Sequence, residues 1–273
     1  MKIWLGLIII SLAFSSLGCL TTGIKKTETI FKETKEISAQ EIEIKKAQPK
    51  FAVGEKLIYK VEWLGLTVAG AVLEIEDLVR INDRQAYKIR LTAQTNGLVA
   101  KIFPVRNVYL SYVDCENIST LKSETQRREG WRLKKDETVF DRLNHKAYYN
   151  DLLKNRQTVV ELPEETRDVL AAAYYFRTID LTVGDTINYK ILLNGKVYPL
   201  YVPIKKKEFL IVSNFRTFET FLAEPYVTRE GKIDQRARVT AYFSADQNRW
   251  PVYISLKGPV FTQIKIFLQA MEG

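Results

Sequence analysis

The sequence predicts a mainly β fold, a large curved antiparallel sheet forming a barrel or half-barrel with one buried helix, at about 166–180, packed against it. Three observations lead there. Apolar and polar residues alternate through most of the chain after Phe51, turn-forming residues separate the alternating runs, and one segment near the middle is instead apolar on nearly every side.

The first run, KLIYKVEW, places Leu57, Tyr59, Val61 and Trp63 on one face and Lys56, Lys60 and Glu62 on the other. A strand with one buried face requires this, because successive side chains point to opposite sides. QAYKIRLTA repeats the pattern, with Tyr87, Ile89, Leu91 and Ala93 set against Lys88, Arg90 and Thr92. VYLSYV, TVFDRLNHKAYY, INYKILL, KVYPLYV, EFLIV, RTFETFLAEPYV, RVTAYFS, WPVYISLKG and FTQIKIFLQ follow in turn.

Turn signals fall between them at Asn82-Asp83, Glu129-Gly130, Asn194-Gly195, Glu230-Gly231 and Asp246-Gln247-Asn248. Asn194-Gly195 suits a two-residue type I′ turn, whose central residues both need positive φ. Short strands joined this way form an antiparallel meander, and about a dozen of them curl rather than stay flat. Lys205-Lys206-Lys207, between KVYPLYV and EFLIV, predicts a solvated hairpin connection, with a headgroup-binding patch as the alternative.

The exception is PEETRDVLAAAYYFRTIDL. Pro163 and the acidic residues after it favour a helix N-terminus, and Arg177 falls in the last turns, where a cation suits the helix dipole. Val169, Ala172, Ala173, Phe176 and Ile179 form one stripe, while Leu170, Ala171, Tyr174 and Tyr175 fill most of the rest of the circumference. A helix apolar nearly all round is a buried helix. The expected place is the concave face of the curled sheet, where the alanines permit close approach and the tyrosine hydroxyls need partners.

Ahead of this domain, Lys2 precedes an apolar run of roughly a dozen residues, too short to span a bilayer comfortably and in the order of a secretory leader. Ser16, Leu17, Gly18 and Cys19 resemble the bacterial lipobox, which implies cleavage after residue 18 and acylation of Cys19. A plain secretory signal or an uncleaved anchor is the alternative. One acyl chain holds a membrane only marginally, so the two or three chains that this resemblance implies would make the attachment lasting. Leu20 after the cysteine favours the outer membrane, facing the periplasm, in a cell with two membranes. Charged residues dominate 19–50, which reads as a polar tether, with a surface helix through Ile30 to Ile44 as the alternative. The expected organisation is therefore leader 1–18, tether 19–50 and a single β-rich domain 51–273.

A formal charge of +9, from 41 Lys and Arg against 32 Asp and Glu, favours anionic surfaces such as lipid headgroups. Nucleic acid is not an expected partner of an exported, tethered chain. The chain has two cysteines, Cys19 and Cys115, so acylation of the first leaves the second as a quiet structural thiol.

Several segments in this order, FAVGEKLIYKVEWLGLTVAGA, EGW with VFDRLNHKA, DVLAAAYYFRTIDLTVGD, FLAEPYVTREG and YFSADQNRWPVYISLKGPVFTQIKIFL, resemble the bacterial DUF3108 family, a domain of unknown function. The likeness runs from Phe51 to about Leu268. It implies an exported β-rich protein, lipid-anchored or periplasmic, with a sheet similar to that of half-barrel lipid carriers and sensors. It implies no reaction.

The residues offer little chemistry. His145 is the single histidine, in RLNHKAYY, and no serine elbow accompanies it; the same scarcity leaves no zinc set, and no metal or cofactor is expected. Glu55, Asp168, Glu224 and Asp246 are the candidate carboxylates for a hydrolase of an envelope polymer. A structural role for Glu55, Asp168 and Asp246 at turns and a helix start is the stronger expectation, with Asp168 and Arg177 as polar fastenings at the two helix ends. No catalytic residue is assigned. Trp63, Tyr174, Tyr175, Phe176, Phe243 and Trp250 are the candidate lining of an apolar cleft, or else simple core. The functional expectation is a non-enzymatic binder of an apolar or amphiphilic ligand such as a lipid, with a structural or assembly partner of another envelope component as the alternative.

Overall fold

The computed structural model describes residues 51–212, 216–229, 232–233, 238–258 and 263–273. Cys19, the leader, the tether and the turn expected at Glu230-Gly231 lie outside the described residues.

The chain first winds outward through eight strands, β1 (Lys56–Trp63), β2 (Leu66–Ile81), β3 (Arg84–Thr95), β4 (Val105–Asp114), β5 (Thr120–Glu129), β6 (Arg132–Asp141), β7 (Lys146–Asp151) and β8 (Arg156–Glu161). A short helix α1 (Gly97–Ile102) sits between β3 and β4. Each strand pairs antiparallel with the next. The two-residue β9 (Thr166–Arg167) and helix α2 (Val169–Phe176) then cross back. A second set follows, β10 (Thr186–Leu193), β11 (Lys196–Val212), β12 (Arg216–Ala223), β13 (Tyr226–Arg229), β14 (Lys232–Ile233), β15 (Arg238–Ser244), β16 (Pro251–Lys257) and β17 (Gln263–Glu272).

In this second set β10, β11, β12, β15, β16 and β17 pair antiparallel in that order, with β13 on β11 and β14 on β13. The last strand pairs with the first, Trp63 opposite Ile264 and Leu57 opposite Met271, so the two meanders share one sheet. β9 runs parallel to β10. Among the described residues no ladder joins β8 to β9, and the curl stays open there. Side chains bridge the gap instead: Phe140, Ala147 and Leu162 pack with Leu192, and Arg142 donates to the carbonyls of Thr120 at 3.1 Å and Thr166 at 2.7 Å.

Register shifts in β1, β2, β4, β11 and β15 bend the strands and increase their twist, which turns a broad sheet into a curl. The alternation does the rest. Leu57, Tyr59 and Val61 of β1 are buried while Lys60 and Glu62 stay outward as an ion pair at 2.9 Å. The Asn194-Gly195 hairpin has the expected positive φ at both residues, 53° and 72°, and a Cβ on Gly195 would lie 2.9 Å from the Tyr149 ring, so this turn also needs glycine for space.

The structure departs from the sequence expectations in two places. The helix occupies 169–176 rather than about 166–180, because Glu165 takes a φ of 60°, Thr166 and Arg167 pair with β10, and Asp168 becomes the N-cap. Lys205 to Lys207 lie inside β11, not at a hairpin; a bulge near Ile204 and ion pairs of Lys206 with Glu208 and Lys207 with Glu219 accommodate them. KVYPLYV and EFLIV are accordingly one bent strand.

Candidate functional site

Helix α2 lies inside the curl, between two apolar clusters. Leu170, Ala171 and Tyr174 belong to the larger one, built on β1 to β4, β16 and β17; Ala172 and Phe176 belong to the other, built on β10 to β13 and β15. Two polar fastenings fix it. At its N-terminus the Asp168 carboxylate accepts the backbone N–H groups of Leu170 at 2.7 Å and Ala171 at 3.0 Å and the hydroxyl of Ser111, while the Asp168 N–H donates to the Thr120 hydroxyl at 2.9 Å. This ties the helix start to β4 and β5. Burial pushes the Asp168 carboxyl above the usual carboxylate range, although the hydrogen bonds pull against it.

At the other end Arg177, 2% exposed, makes a bidentate pair with Glu55, both N–O distances being 2.6 Å, and its Nε donates to the Asn248 carbonyl at 2.9 Å. The guanidinium lies 4.8 Å from the centres of both the Phe51 and Tyr174 rings, and the Tyr174 hydroxyl donates to Glu55 at 3.1 Å. Burial works against the Arg177 charge, but the Glu55 hydrogen bonds and charge outweigh it and hold the arginine protonated. Asp246 caps the adjacent turn, accepting from the Asn248 and Arg249 N–H groups at 2.8 and 3.3 Å.

Between α2 and the sheet lies a cavity of about 260 Å³. Val169, Leu170, Ala172, Ala173 and Phe176 form its helical wall, and Pro225 with residues of β1 to β3, β10, β11, β13 and β15 to β17 forms the rest. Its lining is hydrocarbon: among the described residues no charged side chain faces it. The Tyr59 hydroxyl donates to the Pro251 carbonyl at 2.9 Å and the Tyr189 hydroxyl reaches the Ala172 carbonyl at 3.5 Å, so both are satisfied within the wall. Burial raises both phenols well above their ordinary range. The space exists because curvature separates the walls while Ala71, Ala172, Ala173 and Ala241 are too small to fill it. Tyr59, Phe176, Phe243 and Pro251 are buried and make the floor; Leu200, Pro225, Tyr226, Val239 and Leu256 are half-buried and mark the mouth.

A sequence profile described as a protein of unknown function, DUF3108, matches residues 58–268. The chain belongs to the DUF3108 family. No curated protein matches the DUF3108 chain significantly. Among solved structures, a β-barrel-like protein of the DUF1849 domain of unknown function from Brucella abortus is similar, with TM-score 0.53, 9% identity, and coverage of 81% of this chain and 97% of that one. At such identity the likeness shows the fold alone. A candidate exported protein with a YmcC-like fold from Bacteroides fragilis (TM-score 0.30, 11% identity, 81% and 97% covered) and a candidate lipoprotein from Parabacteroides distasonis (0.29, 10%, 83% and 98%) also match, at scores too low to support an argument.

Of the six aromatic residues singled out in the DUF3108 sequence, Phe176 and Phe243 line the cavity and their rings touch, 4.4 Å between centres. Tyr174 faces the Glu55 and Arg177 fastening. Tyr175 packs edge-on against Tyr189 beneath the Arg167 guanidinium, 3.6 Å above its ring. Trp63 and Trp250 pack half-buried against the larger cluster, away from the cavity. Glu55, Asp168 and Asp246 are engaged as described, and Glu224, half-buried after β12, is not at the cavity either. His145 sits in the β6–β7 turn with φ 52°, and burial raises the Cys115 thiol, assisted by the Asp114 charge, which keeps it unreactive.

The helical alanines were expected to let α2 approach the sheet closely, whereas Ala172 and Ala173 border the open space. Ala69-Gly70-Ala71 in β2 was the nearest clue, since small residues on an inward face leave room that only a facing surface can fill or leave empty.

Proposed function

We propose that this protein is an exported, lipid-anchored envelope protein that binds an apolar or amphiphilic ligand and catalyses no reaction on it. The observation behind the reading is the uncharged cavity between α2 and the curled sheet. Its volume, about 260 Å³, exceeds the roughly 150 Å³ of a cavity that accepts benzene and falls just under the roughly 300 Å³ where drug-sized pockets begin. A single hydrocarbon chain of modest length matches that size. Entry is favoured by about 25 cal/mol for each Å² of apolar surface taken from water, with no buried polar partner to satisfy.

The non-catalytic reading is supported by the carboxylates. Glu55, Asp168 and Asp246 each hold a neighbouring structural group, and among the described residues no carboxylate faces the space where a substrate would sit. Export and anchoring follow from the leader and the lipobox-like Ser16 to Cys19.

Isolation of the full chain from its native host without detergent, organic extraction and mass spectrometry test the reading. The expected result is a recurrent apolar species that is lost from the Ala173→Trp variant, whose indole fills the space from the helical wall. An unchanged species in that variant, or an empty wild-type protein, would overturn it.

A further inference from the structure

The cavity mouth and several exposed connections lie along one edge of the sheet. Val239 pairs with Leu256, Leu256 with Ile264, Ile264 with Trp63 and Trp63 with Leu66, which carries the mouth across to the β1–β2 hairpin. The Asn96 N–H bonds the Val68 carbonyl and places α1 beside that hairpin; the Gly130 N–H bonds the Pro104 carbonyl and places the β5–β6 turn beside α1. This edge presents Leu64, Leu66, Leu98, Ile102, Trp131 and Leu133 to solvent, Trp131 at 93% exposure and Leu98 and Ile102 at 75%. They come from three separate connections at the tips of the fold.

Cations accompany them. Arg106 lies directly opposite Arg128 on adjacent strands, and Arg128 directly opposite Leu133. Both arginines are exposed, and among the described residues neither has an ion-pair partner. Like charges facing across a ladder destabilise it, so this arrangement calls for an external anion. Lys101 and Lys135 are exposed on the same edge, and Lys135 shares a groove with Arg106, Arg128 and Leu133, where Arg127 and Lys134 are already paired with Glu129 and Asp136.

We propose that this edge is a membrane-docking surface: Trp131 and the leucine and isoleucine tips enter the headgroup region of an anionic bilayer while Arg106, Arg128, Lys101 and Lys135 meet lipid phosphates. Exposed tryptophan and aliphatic tips ringed by Lys and Arg are the composition that an interface between water and hydrocarbon selects, and a protein partner would not need the unneutralised arginine pair. The surface is separate from the acyl chains expected on Cys19, and it operates with the cavity empty or filled. A docked edge would bring the cavity mouth next to the bilayer.

The test is quenching of tryptophan fluorescence by brominated phosphatidylcholine vesicles, with and without phosphatidylglycerol, using the full chain carrying Cys19→Ser. The difference between that protein and its Trp131→Phe partner isolates the Trp131 signal and cancels the emission of Trp4 in the N-terminal segment. Quenching of Trp131 should require phosphatidylglycerol and weaken with salt. Each of Arg106→Gln and Arg128→Gln should lower partitioning onto the anionic vesicles about fivefold, the effect of one surface cation. Trp131→Ser should lower it about tenfold or more. Melting curves of these exposed-site variants should match the parent. No Trp131-dependent quenching, quenching equal on neutral and anionic vesicles, or a Trp131-dependent dimer formed without lipid would each overturn the proposal, the last by showing a second copy as the occupant.

Discussion

At the end of the curl where α2 terminates, a guanidinium, a carboxylate, a phenol and a backbone carbonyl close on one another over Phe51, and scarcely any of the arginine reaches water. The opposite edge has Trp131, Leu98 and Ile102 standing in solvent and two arginines facing each other without an anion. Polar groups are therefore concentrated where the fold is shut, and apolar groups are displayed where it is open. Burying charge is tolerable only with full pairing, and exposing hydrocarbon to water is tolerable only at a modest cost that a partner surface recovers. The shut end contributes stability; the open edge is free to serve recognition.

Breaking the shut end should have the largest effect. Arg177→Ala strands the Glu55 carboxylate and should lower unfolding free energy by about 3–5 kcal/mol in urea titrations; a loss under about 1 kcal/mol would show that this fastening does not hold the helix. Asp168→Ala, at the other end of α2, should cost about 2 kcal/mol, the upper range for a lost N-cap, while Asp168→Asn keeps the cap. Burial raises the folded-state pKa of Asp168 above its unfolded value. The stability tied to its protonation is complete below about pH 4 and is lost as pH rises through the folded pKa. The stability of wild type relative to Asp168→Asn should therefore fall as pH rises above about 4, and a constant difference would contradict the burial effect. Tyr174→Phe removes one hydrogen bond to Glu55 and should cost about 1 kcal/mol by thermal melting. Trp131→Ser, at the open edge, should change stability by no more than about 0.5 kcal/mol; a larger loss would mean that this residue supports the fold.

Much of this arrangement was legible before the structure. The alternation of β1, its inward face Leu57, Tyr59 and Val61, and the Asn194-Gly195 turn were set by local chemistry, and all appear in the fold. β5 escaped notice because TLKSETQRRE has few apolar residues and most of its side chains stay partly exposed. The helix boundary was misplaced because Pro163 and the following acids are as good a turn as they are a helix start, and pairing of Thr166 and Arg167 with β10 decides between the two. Asp168 and Arg177 were identifiable as helix-end fastenings, but their partners were not: Ser111 and Thr120 lie on β4 and β5, and Glu55 is separated from Arg177 by 122 residues.

The sequence by itself determined which residues alternate, where the chain turns, that one helix must be buried, and how basic the protein is. These are consequences of short-range geometry and of composition. Only the tertiary structure decided that β17 closes onto β1, that Glu55 neutralises Arg177, that alanines from α2, β2 and β15 face one another across empty space, and that Trp131 shares an edge with the Arg106 and Arg128 pair. Each of those depends on the curvature and register of a sheet whose neighbours are far apart in the chain, and no local pattern encodes such a distance.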